Sequence, residues 1–311
     1  MYNEEIKKRY IQEKEATTST PENYLERLFN KTKGFEGKLE KDVSSFTVYE
    51  IMDTYKTINS SSFETLLVMH NHLSLYTQWC LHENLVPDCQ NHFVEIKNEA
   101  LLNCINKVIL EKAVITRKRL YFWLAQMDNP SDAFVMLCLF EGIKGQAFCE
   151  IANLRISDFS GNTVKLCTGR ELTVSDKLIE LAKLTDETYV YHTVSKTNSK
   201  EYMLEDEGYL IKKYHNCKDG ANEEQRGRRI YKKLFRNFEE KLEVKDYMKS
   251  NSLITSGMID FINTRAKELE ITAKDYLFSK ENHVLEVKER YGYDMKRLRK
   301  MFYAKYEEYL I

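Results

Sequence analysis

Leu139–Phe159 reads LFEGIKGQAFCEIANLRISDF, and the parsing of this stretch decides the fold of the chain. Phe134–Phe140 is an apolar run of helical character that meets Gly142 and Gly145 within a few residues. Beyond these glycines Phe148, Ile151 and Leu154 recur at a spacing of three, which places them on one face of a second helix. The stretch therefore predicts a helix, a glycine-hinged break and another helix.

Composition bounds what surrounds it. The 311 residues are enough for two domains of ordinary size, each burying its own core. With 20 Tyr and 15 Phe but only three prolines and eleven glycines, the chain is globular and free of long disordered linkers. No apolar run approaches the roughly 20 residues of a membrane span. The start, MYNEEIKKRYIQEKE, is too charged for a signal peptide, so a cytosolic protein is expected. Seven cysteines without paired spacing suit reduced thiols. Cys80-x-His82 with Cys89-x-x-His92 fits no common zinc finger, and Cys80 falls on the apolar face of a helix, so neither metal nor cofactor is expected. Residues 1–100 hold 11 Lys and Arg against 16 Asp and Glu, and the remainder 36 against 32. That balance excludes a strongly basic chain and leaves any basic surface to local clustering.

In chain order, residues 1–16 are a charged helical lead, and Pro21 to about Gly34 a short helix. Thr47-Val-Tyr-Glu50 and Ser61-Ser-Phe-Glu64 are capping boxes, the second opening a helix with Leu66, Met69, Leu73, Tyr76 and Cys80 on its apolar face. A bridging helix is predicted over Val94–Lys112, one over Thr116–Ala125, and a helix start at Asn129-Pro130. After Asp158 the period becomes two: Thr163–Cys167 and Arg170–Val174 form a hairpin, Ser175 caps a helix, and Tyr189–His192 adds a third strand. Residues 193–226 read as a polar loop with a short helical or extended piece around Tyr209–Lys212. Arg226–Arg236 opens a helix with Ile230 and Leu234 on one side and Arg229, Lys232, Lys233 and Arg236 on the other. Segment 212–249 carries 12 basic against 7 acidic residues. Helices over Ser252–Leu269, after Thr272, and over Val284–Tyr309 with a break at Tyr291–Tyr293 complete the chain.

The central stretch resembles the heart of the phage integrase, or tyrosine recombinase, family. There a glycine-leucine-arginine element is followed by a helix ending in leucine-arginine-x-x-aspartate, matched here by Leu154, Arg155 and Asp158. The resemblance implies a mainly α fold with a small antiparallel β-sheet and two domains. These are a helical N-terminal core-binding (SAM-like) domain over 1–110 and a catalytic-like domain over 111–311, forming a C-shaped clamp for duplex DNA.

The family holds the scissile phosphate with two arginines and histidine or tryptophan donors while a tyrosine attacks it, as charge stabilisation in the transition state requires. Here the first arginine position holds Lys144, whose point charge is a poor substitute for a bidentate guanidinium. The His-x-x-Arg cluster should fall in Asn251–Phe261, which has neither residue. The glycine-histidine element becomes Gly292-Tyr293, and the nucleophile position falls on Phe302 with Tyr303 beside it. Arg265 is the remaining candidate for a substitute arginine. No catalytic set is therefore expected.

The patterns FEGIKG…NLRISDF and SGMIDFI…RYGY resemble the recombinase-like master repressors of SPbeta-type phages. The resemblance implies a sequence-specific, operator-binding repressor that maintains lysogeny, acting in the bacterial host at the nucleoid. Expected DNA contacts are Arg117, Lys118, Arg119, Lys144, Lys165, Arg170, Arg228, Arg229, Lys232, Lys233 and Arg236, with Arg297 and Arg299 behind them. A peptide and a protein antirepressor both stay open as relieving partners. Two alternatives stand beside this reading: an active divergent recombinase using Tyr303, and an interaction adaptor that binds no DNA.

Overall fold

The computed structural model describes residues 2–15, 22–60, 63–85, 89–193, 200–215, 223–224, 226–230, 242, 244, 249–279 and 283–311. The chain divides into two compact units, Met1–Leu110 and Glu111–Ile311.

The first unit is helical: α1 (Glu4–Glu15), α2 (Glu22–Leu39), α3 (Val48–Ile58), α4 (Phe63–Glu83) and α5 (Asn98–Leu102), with α6 (Lys107–Ala113) beginning at its end. The charged lead is not a solvated arm. Tyr10 and Ile11 of α1 lie in the core beside Phe29 of α2 and Tyr76 of α4. The second helix runs past Gly34 and Gly37, where it was expected to stop. Neither glycine has an atom within 4 Å of where a Cβ would stand, so each costs only its own flexibility, about 1 kcal/mol, while Glu36 between them is buried. The Thr47 capping box is complete, with Thr47 Oγ1 accepting from Glu50 N and the Glu50 carboxylate from Thr47 N. The single helix expected over Val94–Lys112 is three short pieces: a turn at His92–Glu95, α5 and α6. Asn106 donates its N–H to Ser60 O at 3.0 Å, which turns the chain between the last two.

In the second unit α7 (Arg117–Leu124) starts on a Thr116 cap, and α8 (Pro130–Phe140) forms the centre. Every residue of α8 from Ser131 onward is buried, as a helix apolar all round requires. It packs against α10 (Asp176–Asp186) and α11 (Ser250–Glu268). Gly257 makes the second contact direct: a Cβ there would stand 1.7 Å from Phe140 O. After α8, Gly142 and Gly145 take φ of +91° and +65°. Ala147 and Phe148 follow at +50° and +66°, so the expected second helix shrinks to a 3₁₀ turn and the single turn α9 (Cys149–Ala152). Phe148, Ile151 and Leu154 are buried together, as their spacing required.

Strands β1 (Phe159–Ser160), β2 (Thr163–Lys165) and β3 (Glu171–Thr173) form one antiparallel sheet, with Val164 opposite Leu172. The third strand expected beside them, β4 (Val190–Thr193), instead opens a second sheet with β5 (Lys200–Glu205) and β6 (Lys213–Tyr214). Asn129 holds it apart: its amide donates to His192 O at 2.9 Å and accepts from His192 N at 2.8 Å, docking β4 on the start of α8. The 193–226 segment, expected as a loop, thus supplies two strands, while residues 226–230 are helical. Helices α12 (Ala273–Phe278), α13 (Val284–Tyr291) and α14 (Met295–Lys305) follow, with α13 ending on Gly292 at φ +69°. The fold is mainly α with small antiparallel sheets. Among the described residues no helix is long and apolar enough to cross a membrane.

Candidate nucleic-acid interface

Three segments far apart in sequence meet at one cavity in the second unit, with a volume of about 670 Å³. The loop after α8 brings Lys144, the first turn of α11 brings Asn251, and the turn after α13 brings Gly292, Tyr293 and Asp294. Lys144 and Tyr293 are the residues expected from the sequence at the family's first arginine and its histidine, and Asn251 opens the segment where the His-x-x-Arg cluster was expected. Sequence spacing located Lys144 and Tyr293; Asn251 was noted only for lacking a histidine or arginine nearby.

Lys144 is half-buried, and its ammonium lies 5.9 Å from the Phe148 ring centroid while donating to Asn251 Oδ1 at 3.4 Å. Burial pulls its pKa below the ordinary lysine value. Among the described residues no carboxylate lies within ion-pairing distance of it, and this leaves a charge ready to meet an anion.

Arg170 lines the same cavity but is fully engaged. Its Nε and Nη2 grip the two Glu150 carboxylate oxygens at 2.9 and 2.6 Å. The other N–H groups donate to the carbonyls of Gly142, Glu289 and Arg290 at 3.1, 2.9 and 2.6 Å, so all five donors are used. Glu150 is 1% exposed and also accepts from Thr168 Oγ1 and Lys144 N. Burial pushes the Glu150 carboxyl up, but the guanidinium, the hydroxyl and the backbone N–H together hold it below the usual value. Lys144 is thus positioned through its own backbone by the Glu150–Arg170 pair.

Two further arginines expected at DNA have internal partners. Arg117 donates to Asp260 at 3.0 and 2.6 Å and lies over the Phe140 ring, tying α7 to α11. Arg299 donates to the carbonyls of Leu277 and Ser279, closing the end of α12. A basic residue in a helix reads as a solvated charge when its partner is remote in sequence, here 143 residues away for Arg117 and 22 and 20 for Arg299. Lys118, Arg119, Lys165 and Arg228 are exposed, with Lys165 3.4 Å from Glu171 and Arg228 2.5 Å from Glu224. Arg119 also lies over the Trp123 ring, and Arg229 is half-buried. Lys232, Lys233 and Arg236 lie outside the described residues, as do the side chains of Arg297 and Tyr303. Phe302, at the expected nucleophile position, is fully buried in the core against Tyr306. Arg265 pairs with Glu286 and Glu268 and does not line the cavity.

Sequence reading missed the support on the other side of α9. Arg226 is buried, donates to Ala152 O and Asn153 Oδ1, and lies over the Tyr209 ring that Arg155 also covers, at 3.9 and 4.4 Å from the centroid. Gly227 follows because the Ala147 carbonyl lies 2.4 Å from its would-be Cβ.

Comparison with known proteins agrees with this architecture. A protein of Bacillus subtilis (strain 168) described as SPbeta prophage-derived uncharacterized protein YopR is 23% identical over 269 residues, 83% of this chain and 80% of its own. The family model described as MrpR, N-terminal core-binding domain, matches residues 1–82. The one described as MrpR, C-terminal catalytic domain, matches residues 114–308 and so takes in every segment that lines the cavity. By that match the chain belongs to the tyrosine-recombinase-like MrpR family.

Proposed function

We propose that this chain is a sequence-specific double-stranded DNA-binding repressor of a phage or prophage, built on a recombinase scaffold that no longer cuts DNA. The observation that carries the reading is the content of the cavity. Lys144, Asn251 and Tyr293 line it together, in this reading at the places of the family's guanidinium and imidazole groups, and Arg170 is spent on Glu150 and three carbonyls. A lone ammonium can neutralise a phosphate but cannot hold it bidentately for in-line attack. Phosphate binding without cleavage is what such a cavity supports. The SPbeta prophage relative and the core-binding domain match agree with a phage protein that handles DNA. Lys118, Arg119, Lys144, Lys165, Arg228 and Arg229, together with Lys232, Lys233 and Arg236, supply the phosphate contacts in this reading.

The test is an electrophoretic shift of phage-genome fragments over a salt series, with the same mixtures run under denaturing conditions. Specific, salt-sensitive shifts without covalent adducts are expected. An adduct abolished by Tyr303→Phe overturns the loss of cleavage, and the absence of any specific shift overturns the repressor.

A further inference from the structure

Two thiols sit directly behind the Lys144 loop, on elements joined only through tertiary structure. Cys149 is the first residue of α9, and Cys167 lies in the β2–β3 turn. Cys167 is exposed and Cys149 half-buried. The Cys167 thiol donates to the Cys149 carbonyl at 3.6 Å, which brings the exposed sulfur onto the backbone of the residue that carries the second thiol. Asn153 Nδ2 points at Cys167 Sγ from 3.8 Å, a donor aimed at the sulfur. The other described cysteines differ: Cys80, Cys104 and Cys138 are buried, and the half-buried Cys89 donates to the carbonyls of Ser44 and Thr77.

Cys149 is also mechanically connected to the cavity. Its Sγ lies 2.3 Å from where a Cβ on residue 145 would stand, so it is seated directly against the loop that follows Lys144. That loop passes through three left-handed residues, Gly145, Ala147 and Phe148, before reaching Cys149. The next residue, Glu150, accepts the Lys144 N–H.

We infer that Cys149 and Cys167 form an intramolecular disulfide under peroxide, displacing Cys149 from beneath Gly145 and weakening the hold on DNA. Cys167, the exposed thiol, reacts first as its thiolate. Its sulfur attacks one oxygen of hydrogen peroxide, the O–O bond breaks, and hydroxide leaves to take up the thiol proton as water. The Cys149 sulfur then attacks Cys167 Sγ, the S–O bond of the sulfenic acid breaks, and a second water leaves. In sum, two thiols are oxidised to a disulfide and one peroxide is reduced to two waters. The coupling to DNA rests on the repressor reading above; the disulfide itself does not.

The experiment uses the full chain, reduced or treated with hydrogen peroxide, with residual thiols blocked and the digest mapped by mass spectrometry. A peptide linking 149 to 167 is expected in the native chain and in neither Cys149→Ser nor Cys167→Ser. The oxidised chain should bind an operator fragment about fivefold more weakly or worse, with full recovery on reduction. Cys167→Ser, which binds normally when reduced, should be indifferent to peroxide. Cys167 joined to Cys217 or to a second chain, or carried to the sulfinic acid without the link, overturns the disulfide. A 149–167 link with unchanged affinity overturns the coupling alone. Reduced protein that shifts no fragment overturns the repressor reading and the coupling with it, while the peptide map still decides the disulfide.

Discussion

Each unit sets a cation against a buried carboxylate, and the two clusters are finished differently. In the first, Lys7 and Glu36 are both fully buried, with Asp42 3.8 Å from the Lys7 ammonium and the Phe29 ring 5.2 Å away. Thr32 and Val43 N donate to Glu36, and Ser44 and Tyr76 donate to Asp42, so the carboxylates are served by the chain itself. In the second, Glu150 and Arg170 are matched as closely, yet Lys144 stands next to them with a long bond to an amide and an open cavity in front. Burying charge is therefore not what distinguishes a site. A half-served charge facing open space is.

The comparison can be broken most directly at Lys7. Lys7→Met leaves two buried carboxylates without their cation, and a loss of about 3–5 kcal/mol is expected in urea unfolding, with most of it restored when Glu36→Leu is added. Arg170→Lys keeps the charge but loses the fork that serves Glu150 and three carbonyls. A loss of about 1–3 kcal/mol should accompany weaker DNA binding, because the Lys144 loop loses its brace. An Arg170→Lys chain with wild-type stability would place the brace elsewhere.

Acid sharpens the contrast by sign. Burial raises the Glu36 pKa over the opposing pull of Lys7, so its contribution is complete below 4.5 and lost as pH rises through the raised value. The Glu150 pKa is lowered, so its contribution is complete above 4.5 and lost as pH falls through the lowered value. Unfolding measured against pH should lose its acid-side fall in Glu150→Gln and its fall towards neutral pH in Glu36→Gln. The same slope in both variants would contradict the assignment. The smallest change in stability belongs to Lys144→Ala, within about 0.5 kcal/mol. There the effect should appear in DNA binding, with lower affinity and a salt slope reduced by about one.

Local signals were legible in the sequence wherever the deciding contacts are local. The Thr47, Thr116, Ser175 and Thr272 caps stand where their side chains promised, and the apolar spacing of α8 marked the centre of the second unit. Lys144 and Tyr293 were found because glycines punctuate the segments that carry them. What stayed hidden depends on distant partners. Arg170 looked like a DNA contact because Glu150 is 20 residues away and the Arg290 carbonyl 120. Lys7 read only as one charge of the helical lead, since its partner Glu36 is 29 residues away. The division into two sheets rests on Asn129, which also reads as a plain helix cap until its bonds to His192 are seen.

Arg170 also sets a timetable for synthesis. Its lock needs Gly142 and Glu150, which precede it, and the carbonyls of Glu289 and Arg290, up to 120 residues further on. At roughly 5–20 residues per second on the ribosome, Arg290 follows Arg170 by about 6–24 s. During that interval the growing chain carries the Glu150 pair but not the last two carbonyls. The cavity is completed only when the chain is nearly finished, so a truncated product that has lost its C-terminal helices cannot compete for whatever the full-length chain binds there.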